Sequence, residues 1–318
     1  MPNRVASYTP LPAGWPHPLG ALTPRVSVVK RPTFDENEWQ NVFDLRSSEQ
    51  SIVLESPHWL CVEVESALYQ HESAFHPATA ADARSAMLAL QIWCPKGWQA
   101  IIINAVRSDT DIVRVSSVVF GENYFKSSWA RRLSIDDRPL EELKTIVEGT
   151  LKALNSNSVP ARNPFQYLEI GLQTAVNHPK AGALFWMIGL DALLSAQHSV
   201  VFEARLSRLL GRNSHIFPRD YAGRQPAYKV GELAADLYQL RNQIAHGDRI
   251  REKYLARSEF RLEASAPYDL GLAQRSFQEV VCEASLFALC AALRHVILDG
   301  HLELIQQPRA WKKWLDMG

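Results

Sequence analysis

The spacing of apolar residues changes character along the chain near residue 138. Before that point, from about residue 26, apolar residues alternate with polar ones or form short runs rich in valine and isoleucine, which predicts strands. The strand candidates are SIVLESPHWLCVEVE (51–65), LALQIWCPKGWQAIIINAV (88–106) and DIVRVSSVVFGENYF (111–125). Pro95, Lys96 and Gly97 divide the second candidate and predict a hairpin turn there. We therefore predict a mainly β domain over residues 26–137.

Residues 1–25 are rich in proline. Six prolines lie in this segment: Pro2, Pro10, Pro12, Pro16, Pro18 and Pro24. Proline fixes the backbone angle φ and removes a hydrogen-bond donor, which opposes regular structure. We predict a flexible, extended arm over these residues.

From residue 138 onward, apolar residues recur at helical spacing. The predicted helices are RPLEELKTIVEGTLKALN, PFQYLEIGLQTAVNH, AGALFWMIGLDALLSAQ, VVFEARLSRLLG, YKVGELAADLYQLRNQIAH and RSFQEVVCEASLFALCAALRHVILDG. A short tail helix carries Trp311 and Trp314, and Gly211 and Gly300 are expected to close the helices before them. Residues 138–318 are thus predicted to be all-α, and the chain as a whole α+β.

Composition and charge narrow the classes of partner. The 318 residues suggest two domains, and the formal net charge is zero with a pI near 7.2. No overall field attracts nucleic acid or membrane, so any anion-binding site must be local. Six of the nine tryptophans precede residue 135. They favour a tryptophan-rich β core, with a ligand-binding face as the alternative.

Cysteine usage and the absence of targeting signals favour a cytoplasmic protein. Cys61, Cys94, Cys282 and Cys290 form no C-x-x-C pair, and the last two lie in an apolar helical run typical of buried free thiols. The N-terminal stretch has no signal-peptide core, and no apolar run is long enough to span a bilayer. We expect no membrane association.

The stretch LYQLRNQIAHGDR (237–249) places polar chemistry at the end of an apolar helix. Gly247 is suited to the position after a helix, so the helix should end near His246, whose protonated form is favoured by the negative end of the helix dipole. Arg241 offers a planar fork for phosphate, and Asn242 shares a helical face with His246. An imidazole that moves a proton beside a guanidinium that neutralises phosphate charge fits phosphodiester cleavage. The alternative is a capped helix end with surface Arg and His.

A local excess of positive charge surrounds this stretch. Between Arg205 and Arg261 there are twelve Lys or Arg residues against six Asp or Glu. This excess favours a polyanionic partner, and we predict RNA contacts from Arg212, Arg249 and Arg251. The alternative is a solvated basic face.

The residues LRNQIAHG resemble the signature of HEPN domains, in which arginine, a polar residue that is often asparagine, a short gap and histidine follow one another. The segments FWMIGLDALLS and LSRLLG resemble the Apea-like branch of that family, which often has a glutamate where this chain has Asp191. The resemblance covers roughly residues 138–300.

The resemblance implies an all-α bundle and a metal-independent endoribonuclease that needs no cofactor. His246 would be the general acid or base that helps a ribose 2′-hydroxyl attack the adjacent phosphate, Arg241 would hold that phosphate, and Asn242 would orient the site. The products would be a 2′,3′-cyclic phosphate and a 5′-hydroxyl. Many members act in toxin–antitoxin or antiphage systems with an attached sensor region, and some only bind.

Asp191 is expected to support the motif by pairing with one of its residues, without contacting the substrate itself. It is the sole charged residue between Ala181 and Gln197, and a buried carboxylate needs a partner. The resemblance implies that the helix of Asp191 packs against the helix that carries Arg241. Arg241 is therefore the favoured partner. Pairing with another base such as Arg205, or simple exposure, is the alternative.

A homodimer is expected for two reasons. HEPN domains pair, so that two copies of the motif line one cleft. In addition, the helix Phe277–Leu298 is apolar on nearly every face, which predicts either complete burial or a partner. Its apolar positions include Val280, Val281, Leu286, Phe287, Leu289, Leu293, Val296 and Ile297.

Other chemistries have little support in the sequence. The offset between His71 and His76 does not place them on one helical face and no further ligand pair follows, so we expect no metal site. The chain has no G-x-S-x-G, Walker A or G-x-G-x-x-G motif. The rivals to RNA cleavage are a non-catalytic module that binds nucleic acid, a nucleotide or a partner protein, and a structural scaffold.

Overall fold

The structure is a computed structural model that describes residues 4–11, 15–33, 55–64, 72–95, 101–108, 111–120, 138–175, 178–215, 229–246 and 277–317. The chain divides into two compact units that interleave along the sequence. The first comprises Met1–Leu90, Gln99–Asn123 and Ile135–Leu151, and the second comprises Gln91–Trp98, Tyr124–Ser134 and Lys152–Gly318. The fold is α+β, as predicted.

The strands of the first unit form one antiparallel sheet of six described strands. The strands are β1 (Arg4–Pro10), β2 (Gly20–Ala21), β3 (Val26–Lys30), β4 (His58–Val64), β5 (Ile101–Ser108) and β6 (Asp111–Phe120). Their order across the sheet is β2-β3-β4-β1-β5-β6. Strands β4, β5 and β6 confirm the sequence predictions, whereas two other features of this region differ.

The prediction of a flexible arm over residues 1–25 is wrong for Arg4–Pro10. These residues form β1, an inner strand of the sheet that pairs with β4 on one side and β5 on the other, so that Tyr8 lies opposite both Cys61 and Ile103. The stretch between Pro2 and Pro10 contains no proline, so its backbone can donate to both neighbours. Tyr8 is fully buried, which fixes this stretch in the core.

The predicted hairpin around Pro95 is also wrong in its first half. The residues LALQIW belong to helix α1 (Glu72–Trp93) and not to a strand. A short apolar run does not distinguish a strand from a buried helix, and the alanine-rich stretch before it is a strong helix former. From Ala86 to Trp93 every residue of the helix is buried, so this part of α1 is enclosed on all sides and shows no polar face in its sequence.

The described tryptophans before residue 135 fill the interior, as the core interpretation predicts. Trp59 and Trp93 are fully buried, and Trp15 is nearly so. The indole nitrogen of Trp59 donates to the carbonyl of Ser56 at 2.9 Å, which satisfies its polar atom inside the core. Trp39, Trp98 and Trp129 lie outside the described residues.

The predicted helices after residue 138 are confirmed. They are α2 (Leu140–Leu154), α3 (Val159–Ala175), α4 (Pro179–Leu194), α5 (Ser199–Leu210), α6 (Val230–Ala245), α7 (Phe277–Leu298) and the tail helix α9 (Pro308–Asp316). One short helix that was not predicted, α8 (Leu302–Ile305), lies between the last two. Helix α2 lies in the first unit as far as Leu151. Helix α3 begins before its expected start and carries Pro164 inside it. Gly211 and Gly300 both have positive φ, as expected of residues that end helices.

Helix α4 is the central element of the second unit. It contacts α3, α5, α6 and α7. The approach of α3 to α4 requires small residues, because a methyl group at Gly171 would collide with the Trp186 indole and one at Gly182 would meet the backbone of Ala175. The described side chains of α7 are largely buried within this unit. The apolarity of α7 therefore needs no partner subunit to explain it.

Arg205 fixes the end of α4. The side chain of Arg205 is 4% exposed, and its Nη1 donates to the carbonyls of Leu194 and Ser195 at 2.8 Å each. Its Nε and Nη2 donate to both carboxylate oxygens of Asp316 at 2.8 and 2.9 Å. One buried guanidinium thus joins α4, α5 and α9 and satisfies carbonyls that the helix end leaves open.

Two further expectations concern thiols and membranes. Cys61, Cys94 and Cys290 are buried thiols, while the side chain of Cys282 lies outside the described part of the chain. Among the described residues, no one helix has both the length and the apolar composition needed to cross a membrane. Lys180–Leu194 and Ser199–Leu210 reach that length and composition only together, with a bend of 78° between them.

Candidate functional site

The ends of α4 and α6 bring together an acidic and a basic side chain. Arg241 Nη2 lies 3.1 Å from Asp191 Oδ2, with 34% of the arginine side chain and 14% of the aspartate side chain exposed. This is the pairing expected for Asp191. The alternative partner, Arg205, is engaged by Asp316 instead.

The guanidinium of Arg241 is held at two of its edges and on one face. Its Nη1 donates to the side-chain oxygen of Asn242 at 2.8 Å, and Nη2 faces Asp191. Its central carbon lies 5.7 Å from the centroid of the Tyr238 ring. A guanidinium has five N–H donors, so others remain open at the exposed edge for an anion. Such a fork suits phosphate geometry.

Asn242 accepts a hydrogen bond from Arg241, a contact that the sequence did not predict. Neighbouring residues on a helix do not face one another, and Asn242 was expected to act with His246 on a shared face. The long arginine side chain instead folds back so that the Asn242 amide oxygen accepts its hydrogen bond. Asn242 therefore orients the arginine directly.

Asp191 is placed where a carboxylate is electrostatically unfavourable. It lies in the last turn of α4, at the negative end of the helix dipole. Its Oδ1 is buried and accepts no hydrogen bond from the described residues. Burial raises the pKa of Asp191 from 3.8 to about 6, although the nearby charge of Arg241 acts in the opposite direction. A buried carboxylate whose charged form is disfavoured by desolvation, and which lies beside an arginine, is typical of functional sites.

His246 lies immediately after the end of α6. The helix ends at Ala245, close to the predicted end, and the His246 N–H donates to the Asn242 carbonyl at 3.0 Å. The side chain is exposed, and its ring makes no hydrogen bond within the described part of the chain. It is thus free to approach a bound molecule. Gly247, predicted to end the helix, lies outside the described residues.

Arg212, the predicted RNA-binding arginine that the structure describes, does not lie beside Arg241. Arg212 is exposed and packs against Gly231, where an added Cβ would lie 2.7 Å from its Cγ. Gly231 is ten residues before Arg241 on α6, and ten residues of helix span about 15 Å. Arg212 therefore lies by the opposite end of that helix. Arg249 and Arg251 lie outside the described residues.

Two residues of the site were missed by the sequence reasoning. The Tyr238 hydroxyl donates to the Gln197 carbonyl at 3.0 Å, which ties α6 to the turn between α4 and α5. A signal for Tyr238 was available, because it precedes Arg241 by three residues and therefore shares its helical face. No sequence pattern points to the carbonyl of Gln197.

The described residues contain no cluster of three or more His, Cys, Asp or Glu side chains that could hold a metal ion. His71 and the side chain of His76 fall outside them. The chemistry that the site can offer is thus an oriented guanidinium, a carboxylate that titrates near neutrality and an exposed imidazole at one helix end. Comparison of the chain with protein-family models, with curated proteins and with solved structures found no match in any of the three.

Proposed function

We propose that this chain is a metal-independent endoribonuclease of HEPN type, which acts as a toxin or antiphage-defence effector under the control of its N-terminal region. One observation carries the proposal: Arg241 is oriented by Asp191 and Asn242, remains partly exposed, and lies near the end of the helix that the exposed His246 follows. Cleavage of RNA by its own 2′-hydroxyl requires an oriented cation and a proton-transfer group, and Arg241 and His246 are the candidates for these roles.

In the proposed reaction, the ribose 2′-oxygen forms a bond to the adjacent phosphorus while the bond from phosphorus to the 5′-oxygen breaks. The 2′-hydroxyl loses its proton to a base, and the departing 5′-oxygen receives a proton from an acid. His246 performs one of these transfers, and Arg241 neutralises the charge that builds on the phosphate oxygens. The products are a 2′,3′-cyclic phosphate and a 5′-hydroxyl.

A homodimer would supply the second proton-transfer group. One imidazole performs one transfer per step, whereas acid–base cleavage is faster with two groups. A two-fold axis that places two helix ends in one cleft brings a second His246 to the phosphate. The HEPN resemblance supports this pairing. An antitoxin or sensor partner would then act by covering or opening that cleft.

One observation favours a second function, a non-catalytic module that binds nucleic acid, a nucleotide or a partner protein. The Asp191 carboxylate compensates the charge of Arg241, which weakens the charge stabilisation that cleavage needs in the transition state but leaves N–H groups of the guanidinium available as hydrogen-bond donors to a ligand. A binding module of this kind would retain RNA or nucleotide affinity without cleavage. Its affinity would not depend on His246 as a proton donor or acceptor.

The chemistry of the cleaved ends separates these functions. Purified protein is incubated with a 5′-labelled single-stranded RNA in the presence of EDTA, and the ends of the fragments are analysed. The nuclease proposal predicts 2′,3′-cyclic phosphate and 5′-hydroxyl ends, with EDTA having no effect. Binding of intact RNA without fragments would support the non-catalytic module, and cleavage abolished by EDTA would contradict the metal-independent mechanism.

A further inference from the structure

Arg241 lies over the aromatic ring of Tyr238, which is itself fixed by two contacts and by burial. The Tyr238 ring lies 5.7 Å below the guanidinium carbon, within the range of a cation–π contact. Its hydroxyl donates to the Gln197 carbonyl, and the Phe202 ring lies 5.5 Å away at an angle of 50°. Tyr238 is 8% exposed, so the ring has little freedom to move.

The anchor of Tyr238 lies in the same turn that ends the helix of Asp191. Gln197 belongs to the turn between α4 and α5, and Arg205 holds the start of that turn through the Leu194 and Ser195 carbonyls. Asp191 lies one turn earlier on α4. Asp191, which pairs with an edge of the Arg241 guanidinium, and Tyr238, which lies against its face, are therefore both fixed to the end of α4. A shift of that end would move both supports together.

We propose that Tyr238 is a positioning residue for Arg241, whose ring sets the plane of the guanidinium so that its open N–H groups stay directed at the scissile phosphate. This inference rests on the proposed nuclease function. An arginine side chain has several rotatable bonds, and ordering them costs conformational entropy. A ring that orders the side chain before substrate binds removes that cost from the reaction.

The expected effect of removing the ring falls on turnover. Arg241 acts most strongly on charge that develops in the transition state, so a misplaced guanidinium lowers kcat more than it raises KM. Displacement by about 1 Å of a group that positions substrate lowers rates by roughly 10²-fold. We therefore expect loss of the Tyr238 ring to reduce kcat by roughly 10²-fold, with KM nearly unchanged.

Tyr238→Phe and Tyr238→Met form a matched pair of variants. Both lose the hydroxyl and its bond to the Gln197 carbonyl, and both keep an apolar side chain that can fill the buried site. Only phenylalanine keeps an aromatic face for the guanidinium. The prediction is that Tyr238→Phe cleaves RNA nearly as fast as wild type, while Tyr238→Met loses roughly 10²-fold in kcat. Melting curves of the two variants establish that the comparison is between folded proteins.

A second measurement tests Tyr238 without reference to catalysis. The Nε–H resonance of Arg241, identified by its loss in Arg241→Lys, is followed by ¹⁵N relaxation in wild type and both variants. Restricted motion in wild type and Tyr238→Phe, with free motion in Tyr238→Met, supports the positioning role. Equal motion in all three, or equal kcat in the two variants, overturns it. If wild type fails to cleave RNA, the proposed function fails, and the relaxation data alone decide the role of Tyr238.

Discussion

Replacing Asp191 by asparagine should make the protein more stable and less active above pH 6. The carboxylate is largely buried, one of its oxygens has no hydrogen-bond donor among the described residues, and its pKa is raised to about 6 by burial against the opposing charge of Arg241. Asparagine has the same shape without the charge. It retains an oxygen that can accept from Arg241, so the ion pair becomes a hydrogen bond from the charged guanidinium to a neutral amide oxygen.

The size of the stability change follows from the pKa. A rise from 3.8 to about 6 corresponds to about 3 kcal/mol between the charged and neutral forms in the folded state. Two effects reduce the gain in the free energy of unfolding to about 1–2 kcal/mol. Water partly screens the charge of Asp191, and the NH₂ group of the asparagine lacks a hydrogen-bond acceptor there. Because the folded pKa exceeds the unfolded one, the stability linked to the Asp191 proton is fully present below pH 3.8 and is lost as the pH rises through about 6. The advantage of asparagine should therefore appear at pH 8 and disappear near pH 4.

Urea denaturation of wild type and Asp191→Asn at pH 4.5 and pH 8 measures this change. Glu303→Gln provides a matched control, because the exposed Glu303 pairs with the exposed Lys152, which keeps its charge at both pH values, so its replacement should leave the pH dependence nearly as in wild type. Cleavage by Asp191→Asn should fall roughly tenfold, since the guanidinium binds a carboxylate more strongly than a neutral amide by about 1–1.5 kcal/mol and Arg241 is therefore held less firmly in the variant. A variant that is less stable than wild type at pH 8 would refute the electrostatic reasoning.

Three further changes test the remaining contacts. Arg205→Met should destabilise the second unit by about 2–4 kcal/mol in urea denaturation, because two helix-end carbonyls lose a charged donor, while Asp316→Asn should have a much smaller effect. Arg241→Ala should lower stability at pH 8 by about 2 kcal/mol, since it leaves the buried carboxylate uncompensated, and the loss should shrink at pH 5. Light scattering at micromolar concentration should report a homodimer, and a strict monomer would contradict the paired site.

The helical half was predictable from the sequence because its signals agree with one another. Helical spacing, prolines near helix starts and glycines after helix ends all indicate the same boundaries, as at Gly211 and Gly300. The β half was less predictable because its signals conflict. Strand β1 lies in a proline-rich segment although its own inner residues contain none, and helix α1 ends in an apolar run that resembles a strand.

The candidate site was predictable where one residue had few possible partners. Asp191 is alone in an apolar run, so its pairing with a base of the second unit followed from the cost of burying a charge. The contacts of Asn242 and Tyr238 with Arg241 depend on how one long side chain folds back along its own helix. That choice of rotamer is decided by tertiary packing, which residue spacing does not encode.

The measurement that tests the central claim most directly is RNA cleavage by wild type and His246→Ala, alongside their melting curves. The side chain of His246 is exposed and follows a helix end, so its removal should cost at most about 1 kcal/mol of stability. Loss of a proton-transfer group should reduce the cleavage rate by roughly 10²- to 10⁴-fold. His178→Ala, which removes an exposed histidine at the start of α4, should cleave like wild type. If His246→Ala cleaves as fast as wild type, His246 is not a catalytic residue and the nuclease proposal is contradicted.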